Sequence, residues 1–243
     1  MKILVNGAQG RMGAESVLAI QAEDDLTLVA SAERGDNLAA LIAQHHPDVV
    51  LDFTTPEVVM DNCVTILNGG AHALVGTTGL SESQQEDLHR LAESKEKAVL
   101  ICPNFAIGAV LMMKFAAEAS TYLPNVEIIE YHHDQKLDAP SGTAIKTADL
   151  IAETNPNVNA GPKVDETEIL EGARGGSKHN IPIHSVRLPG YVASQKVILG
   201  GQGQTLTVAH DTIHRNSFMP GVLLAIRKMN SFTGLRYGLE TVL

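Results

Sequence analysis

The sequence predicts an α/β protein with a parallel sheet in its N-terminal part and a second, α+β domain built on a mixed, mostly open sheet. Three observations predict it. Short apolar runs alternate with helical patterns over the first hundred residues. A glycine-rich turn follows the first run. After residue 104, strand patterns begin to follow one another directly.

The first apolar runs are 2–6, 26–32, 48–53, 72–76 and 98–102, most of them rich in Val, Ile and Leu. Continuous apolar runs of this length suit strands buried on both faces. Between them, 11–22, 37–44, 56–68 and 81–94 have helical character, and the last opens on Ser81 with acids close behind. Strand and helix repeated in this way imply a parallel sheet with helices on both faces.

Beyond residue 104 come a long helix at 107–122, a strand at 126–133 and a helix at 143–153 after a Pro-Ser-Gly turn. Strands are then expected at 165–171, 183–188, 194–199 and 204–210, with a last helix at 220–230 carrying Pro220 in its first turn. Residues 172–180, with Gly172, Gly175 and Gly176, read as a mobile loop.

Composition narrows the function. A chain of 243 residues, 44% hydrophobic, suffices for one large domain or two modest ones. No apolar run approaches the ~20 residues of a membrane span, and the N-terminus does not read as a signal peptide, so a cytoplasmic enzyme with no membrane partner is expected. A net charge of −10 argues against nucleic acid as a partner. Cys63 and Cys102 stand outside any metal-ligand spacing and read as buried thiols. An anionic substrate would need a local positive field set against this acidic background.

Residues Gly7, Ala8, Gln9, Gly10, Arg11, Met12 and Gly13 join the first strand to the first helix. In that context glycines permit a tight turn and close backbone approach, and the N–H groups at the helix start can hold a pyrophosphate. The spacing is GxxGxxG, not the more usual GxGxxG. Glu33 follows the second strand, where a carboxylate meets an adenosine ribose, and Arg34 beside it suits a 2′-phosphate. A Rossmann-type domain using NADH, NADPH or both is therefore expected. Two further loops follow strand ends: Gly76-Thr77-Thr78-Gly79 and Cys102-Pro103-Asn104-Phe105. Such loops border a nicotinamide or are plain turns.

The segment 130–144 carries the chemistry of the second domain. His132, His133 and Lys136 gather proton donors and positive charge, and neighbouring cations are expected to favour donation by lowering one another's proton affinity. On a strand, His132 and His133 diverge unless the strand has already ended, which argues against a metal site. Pro140 then precedes a helix start at Ser141, Gly142 and Thr143, where N–H and hydroxyl groups can cradle a carboxylate. Ser141 equally suits a helix cap. A proton source beside an anion cradle suits reduction of an imine or conjugated acid.

The chain resembles the bacterial 4-hydroxy-tetrahydrodipicolinate (formerly dihydrodipicolinate) reductase family of the diaminopimelate and lysine pathway. The resemblance covers essentially the whole chain. It rests on the glycine loop, on Gly76-Thr77-Thr78-Gly79, and on the His-His…Lys…Asp-Ala-Pro-Ser-Gly-Thr string from His132 to Thr143. Further matches lie at 181–190, 200–206 and 217–222.

The resemblance implies dinucleotide binding at Gly7, Ala8, Gln9, Gly10, Arg11, Met12, Glu33, Arg34, Gly76, Thr77, Thr78, Cys102, Pro103, Asn104 and Phe105. It implies a general acid at His132, a second proton donor at Lys136, and substrate carboxylate contacts at His133, Ser141, Gly142 and Thr143. It also implies a homotetramer joined through the sheet of the second domain. The dinucleotide-binding domain would comprise residues 1–105 plus 214–243, and the substrate-binding and oligomerisation domain 106–213, with hinges near 102–106 and 210–218. The sequence departs from the family's common pattern at Cys102, Asn180, Ser194 and Lys196.

Two other readings remain to be weighed. A different two-domain dehydrogenase would share the N-terminal half but lack the string from His132 to Thr143. A nucleotide-sensing protein without catalysis would keep the glycine loop but need no proton donors.

Overall fold

The structure is a computed structural model that describes residues 1–161 and 167–243. The chain forms two compact units, one of residues 1–107 with 215–243 and the other of residues 108–214.

The first unit is built on β1 (Lys2–Asn6), β2 (Thr27–Ala32), β3 (Val49–Asp52), β4 (His72–Val75), β5 (Ala98–Ile101) and β11 (Gly234–Tyr237). All six pair in parallel in the order β11-β5-β4-β3-β1-β2. β3, β4 and β5 are buried at every position, which is why they read as unbroken apolar runs without alternation. The strand order reverses between β1 and β3, and ligands of open α/β sheets sit beyond strand ends at such a point.

Helices α1 (Arg11–Gln21), α2 (Leu38–His45), α3 (Val59–Asn68) and α4 (Glu82–Ser94) alternate with the strands. Ser81 and Gln84 form a reciprocal capping box at the start of α4. The expected helix over 56–68 begins only at Val59, because the residues before it form a turn behind Pro56. After the second unit, α7 (Met219–Lys228) returns to the first with Pro220 in its opening turn. Arg227 on α7 binds Glu23 (2.6 Å) and both oxygens of Asp25 (2.9 and 2.7 Å) in the connection from α1 to β2. The sixth strand, β11, carries no strand pattern strong enough to be expected from sequence. Its pairing with β5 and the Leu235 N–H bond to His89 Nδ1 (2.9 Å) hold it in place.

The second unit holds α5 (Ile107–Ser120, entering from the first unit), β6 (Asn125–His132), α6 (Gly142–Thr154), β7 (Gly176–Lys178), β8 (Ile181–Arg187), β9 (Ala193–Gly201) and β10 (Gln204–Thr212). The sheet order is β10-β9-β6-β8-β7, with β6 and β8 parallel and the other pairs antiparallel. Alternate residues Val126, Ile128 and Glu130 of β6 point into the core, as do Ile181 and Ile183 of β8 and Val197 and Leu199 of β9.

Two expectations need correction here. Residues 172–180 do not form a structureless loop, since Gly176–Lys178 pairs with β8 through a tight turn. His179 and Asn180 take φ of 51° and 62° there, the twist that a two-residue hairpin needs. The strand expected at 165–171 begins outside the described residues, and residues 167–171 form no strand, with 169–171 in bend and turn and their side chains exposed. Among the described residues no helix is long and apolar enough to cross a membrane.

Candidate active site

In the first unit the candidate residues gather at the carboxyl ends of β1 to β5. Gly7 has φ of 82°, and a Cβ there would lie 2.5 Å from the Phe53 carbonyl oxygen. A Cβ on Gly13 would lie 2.1 Å from the Gly7 carbonyl oxygen. The turn is thus folded onto the first turn of α1 so tightly that no side chain fits at either position. Gly10 caps α1 without any side-chain bond, and no acidic residue stands in the helix's first turn. The opening N–H groups of α1 are therefore presented without a protein anion over them, with exposed Arg11 alongside.

Glu33 comes to the same loop. Its carboxylate accepts the Gln9 N–H, while its own N–H bonds Asp36 Oδ2 (2.8 Å). The Gly7 N–H is taken by Ala32 O (2.8 Å), which welds the end of β2 to the turn. Arg34 is exposed beside Glu33. Glu57 is held below the usual carboxylate range by bonds from Thr55 and its own backbone, and by the charge of Arg34.

The loops after β4 and β5 close the other side. A Cβ on Gly76 would lie 2.1 Å from the Phe53 ring, and that ring meets Phe105 edge-on with centroids 5.7 Å apart. Thr77 is buried, whereas Thr78 and Pro103 are exposed. Asn104 Oδ1 accepts the Ala106 N–H (2.8 Å) and turns the chain into α5. Cys102 is buried, and burial pushes its thiol well above the ordinary value, so it contributes backbone and volume and not a nucleophile.

Sequence reasoning missed two residues in this region. Phe53 offers its ring to Gly76 and Phe105 and its backbone carbonyl to Gly7. Asp52 is fully buried, and its carboxylate accepts from Asn6 Nδ2 (2.8 Å), Thr54 N (3.1 Å), Thr54 Oγ1 (2.6 Å), Asn62 Nδ2 (2.9 Å) and Thr77 Oγ1 (3.4 Å). It ties the ends of β1, β3 and β4 together under the glycine-lined surface. Its place in the motif Asp52-Phe53-Thr54 at a strand end was the available signal.

In the second unit β6 ends at His132, so His133 lies already in the turn and the simple divergence expected of a strand pair does not apply. His132 shares a face with Glu130, two residues earlier, and its Nδ1 bonds the Glu130 carboxylate. Glu130 is fully buried. Arg187 of β8 grips it with both prongs, Nη1 to Oε2 (2.9 Å) and Nη2 to Oε1 (2.8 Å). Burial by itself would raise the Glu130 carboxyl, but bonds from His132, Arg187 and Ser185 prevail and hold it at about 2. An ionised carboxylate only accepts, so the His132 Nδ1 carries the hydrogen and Nε2 is the atom left for the site.

Lys136 Nζ bonds both oxygens of Asp138 (2.7 and 2.9 Å). His132 and Lys136 each have a carboxylate partner, because the strand alternation and the following turn bring Glu130 and Asp138 to them. Ser141 is buried and engaged as the cap of α6: its hydroxyl accepts the Ala144 N–H (3.2 Å) and its own N–H donates to Glu130 Oε1 (3.3 Å). Gly142 is exposed, and a Cβ there would meet nothing within 4 Å. The open space at the head of α6 is therefore at Gly142. Among the described residues no group of three metal-ligating side chains comes together.

The family model described as "Dihydrodipicolinate reductase, N-terminus" matches residues 1–105, and that described as "Dihydrodipicolinate reductase, C-terminus" matches residues 108–243. The chain belongs to the dihydrodipicolinate reductase family. Relatives named 4-hydroxy-tetrahydrodipicolinate reductase include one from Listeria welshimeri, 49% identical with both chains covered in full. Another, from a Mycobacterium species (strain KMS), is 50% identical over all of this chain and 99% of its own. A solved dipicolinate-bound dihydrodipicolinate reductase from Paenisporosarcina sp. TG-14 superposes with a TM-score of 0.93 at 42% identity, over 100% of this chain and 99% of its own. A probable dehydrogenase from Thermotoga maritima, 12% identical with a TM-score of 0.67 over 99% of this chain and 92% of its own, shares the fold alone. The reductase family's C-terminal model runs continuously to residue 243, whereas its last stretch, 215–243, folds as part of the first unit.

Proposed function

We propose that this chain is an NADH- or NADPH-dependent reductase converting 4-hydroxy-tetrahydrodipicolinate to tetrahydrodipicolinate in the diaminopimelate route to lysine. Membership of the reductase family along the whole chain carries the reading, with the Glu130-held His132 beside the open head of α6 as its chemical counterpart.

The first unit fits the dinucleotide. At Gly7, Gly13 and Gly76 a Cβ would collide with neighbouring atoms, so the turn and its flank stay bare of side chains, and α1 presents its opening N–H groups beside them. Gly7, Ala8, Gln9, Gly10, Arg11 and Met12 would hold the pyrophosphate, with Glu33 on the ribose and Arg34 on a 2′-phosphate. Gly76, Thr77, Thr78, Cys102, Pro103, Asn104 and Phe105 would border the nicotinamide. When bound, the nicotinamide supplies the hydride.

The protein's own part is binding and proton supply. His132 donates a proton from Nε2, and Lys136 provides positive charge and a second donor. His133, Gly142 and Thr143 hold a substrate carboxylate at the head of α6, while Ser141 acts by capping that helix. In this division of labour residues 1–105 with 214–243 bind the dinucleotide, and residues 106–213 bind substrate and build the oligomer.

Assembly as a cytoplasmic homotetramer through the open face of the second sheet is part of the proposal. Ile129, Tyr131, Val186 and Ile198 lie partly exposed on the face opposite Glu130, with Tyr191 stacked on Tyr131 at 5.1 Å. The deciding experiment mixes the enzyme with freshly made condensation product of pyruvate and aspartate semialdehyde and follows the nicotinamide absorbance with each cofactor. Absence of oxidation with both cofactors refutes the function, and light scattering on the same sample tests the tetramer.

A further inference from the structure

We propose that Glu130 and Arg187 are a positioning pair, which orients His132 and sets the pH range over which it holds its proton. The inference rests on the reading of His132 as proton donor and extends it to two residues that touch no substrate atom in that reading.

The geometry is that of one shared carboxylate. Glu130 Oε2 accepts from both His132 Nδ1 and Arg187 Nη1, and Oε1 accepts from Arg187 Nη2 and the Ser141 N–H. The Glu130 side chain is 0% exposed, those of His132 and Arg187 15% and 19%. Arg187 also donates to Val186 O and Asp138 O, both at 2.8 Å. A single ion pair thereby fixes the imidazole, the head of α6 and the turn that carries Lys136.

Charge gives the pair its second role. An unshared buried carboxylate at Nδ1 would hold the imidazolium strongly and make it a reluctant donor. Arg187 takes up much of that negative charge. It reaches the carboxylate from β8, where its backbone stands directly opposite His132. The other charged groups about the ring are Lys136 and Asp138, which neutralise each other, with His133 and Asp134 in the turn. The first turn of α6 carries no acid, and Ala193 faces His132 from β9. Glu130 and Arg187 therefore act on His132 with opposite sign.

The test is the pH profile of kcat/KM for the full-length enzyme with E130Q, R187M and R187K, each checked for folding by circular dichroism. E130Q should move the alkaline limb to lower pH and R187M to higher pH, each by about one unit. R187K keeps the charge and loses the fork, so its limb should stay with the wild type while kcat falls. Loss of folding alone would not shift two limbs in opposite directions. Should R187M not fold, the His132 ring is titrated by 15N NMR in wild type, E130Q and R187K, with a protonated Nδ1 expected in the neutral wild-type ring. Limbs that stay in place, or move together, or a ring protonated at Nε2, overturn the pair. H132Q in the same assay separates the two ideas. Full activity of H132Q removes the donor reading, whereas an inactive H132Q with unmoved limbs in E130Q and R187M removes only the positioning pair.

Discussion

Gly13 packs against the carbonyl of Gly7 so closely that a Cβ would sit 2.1 Å from the oxygen. The contact joins the first turn of α1 to the end of β1 and packs the glycine turn, the proposed pyrophosphate cradle, tightly. G13A should cost about 1–3 kcal/mol of stability through overpacking and weaken NADH at least about tenfold. Thermal melts and fluorescence titration measure the two effects. NADH binding at wild-type strength in G13A would show that the cradle lies elsewhere.

H132Q removes the proposed proton donor, which belongs to the second unit. Turnover should fall by at least about tenfold, with NADH affinity unchanged. Steady-state kinetics and a separate NADH titration distinguish the two quantities. Unchanged turnover would sink the assignment.

Arg34 is exposed next to Glu33, and the 2′-phosphate role proposed for it is tested by its removal. R34A should weaken NADPH by about tenfold and NADH by much less, as loss of one charge-assisted bond requires. Equal losses for the two cofactors in parallel titrations would remove the 2′-phosphate role.

Asp52 is a buried carboxylate held by neutral donors from Asn6, Thr54, Asn62 and Thr77. D52A leaves those donors without an acceptor and should destabilise the first unit by about 2–4 kcal/mol. Urea denaturation measures it. A loss below about 0.5 kcal/mol, the size of an ordinary surface change, would show that the network is not structural.

Glu130 links acid stability to the site. Its carboxyl is held at about 2 in the folded protein against about 4.5 ordinarily, so the folded state binds its proton less readily than the unfolded chain. The resulting stability is fully present above pH ~4.5 and is lost as pH falls through about 2. Denaturation followed from pH 6 to 2 should show a steeper acid loss in the wild type than in E130Q. Parallel curves would exclude Glu130 as the linked group.

Much of this protein was legible because its determinants are local. The runs 2–6, 72–76 and 98–102 are strands for the same reason that they are largely apolar: helices cover both faces of the sheet. The glycine turn declared itself because Gly10 and Gly13 meet the carbonyl of Gly7 within a few residues and Gly7 itself takes a positive φ. Ser81 and Pro220 marked helix starts through the backbone groups that those starts leave open. Where local signals were weak, the expectation failed. β11 reads as a strand only because β5 offers it an open edge, and β7 only because β8 folds back on it. Neither segment has the length or alternation that announces a strand.

The sequence by itself determined the fold class and the family, and it put forward the glycine turn and the segment from His132 to Thr143 as the site, each specified by residues adjacent along the chain. Only the tertiary structure decided what surrounds them. Glu130 was in view as a residue and not as a partner. Its role depends on strand alternation, burial and an arginine from another strand, and the β6–β8 register brings Arg187 opposite His132. Burial turns that arrangement into chemistry, since a carboxylate removed from water stays charged only where donors meet it. Which donors meet it is a property of three-dimensional packing, and no spacing along the chain records it.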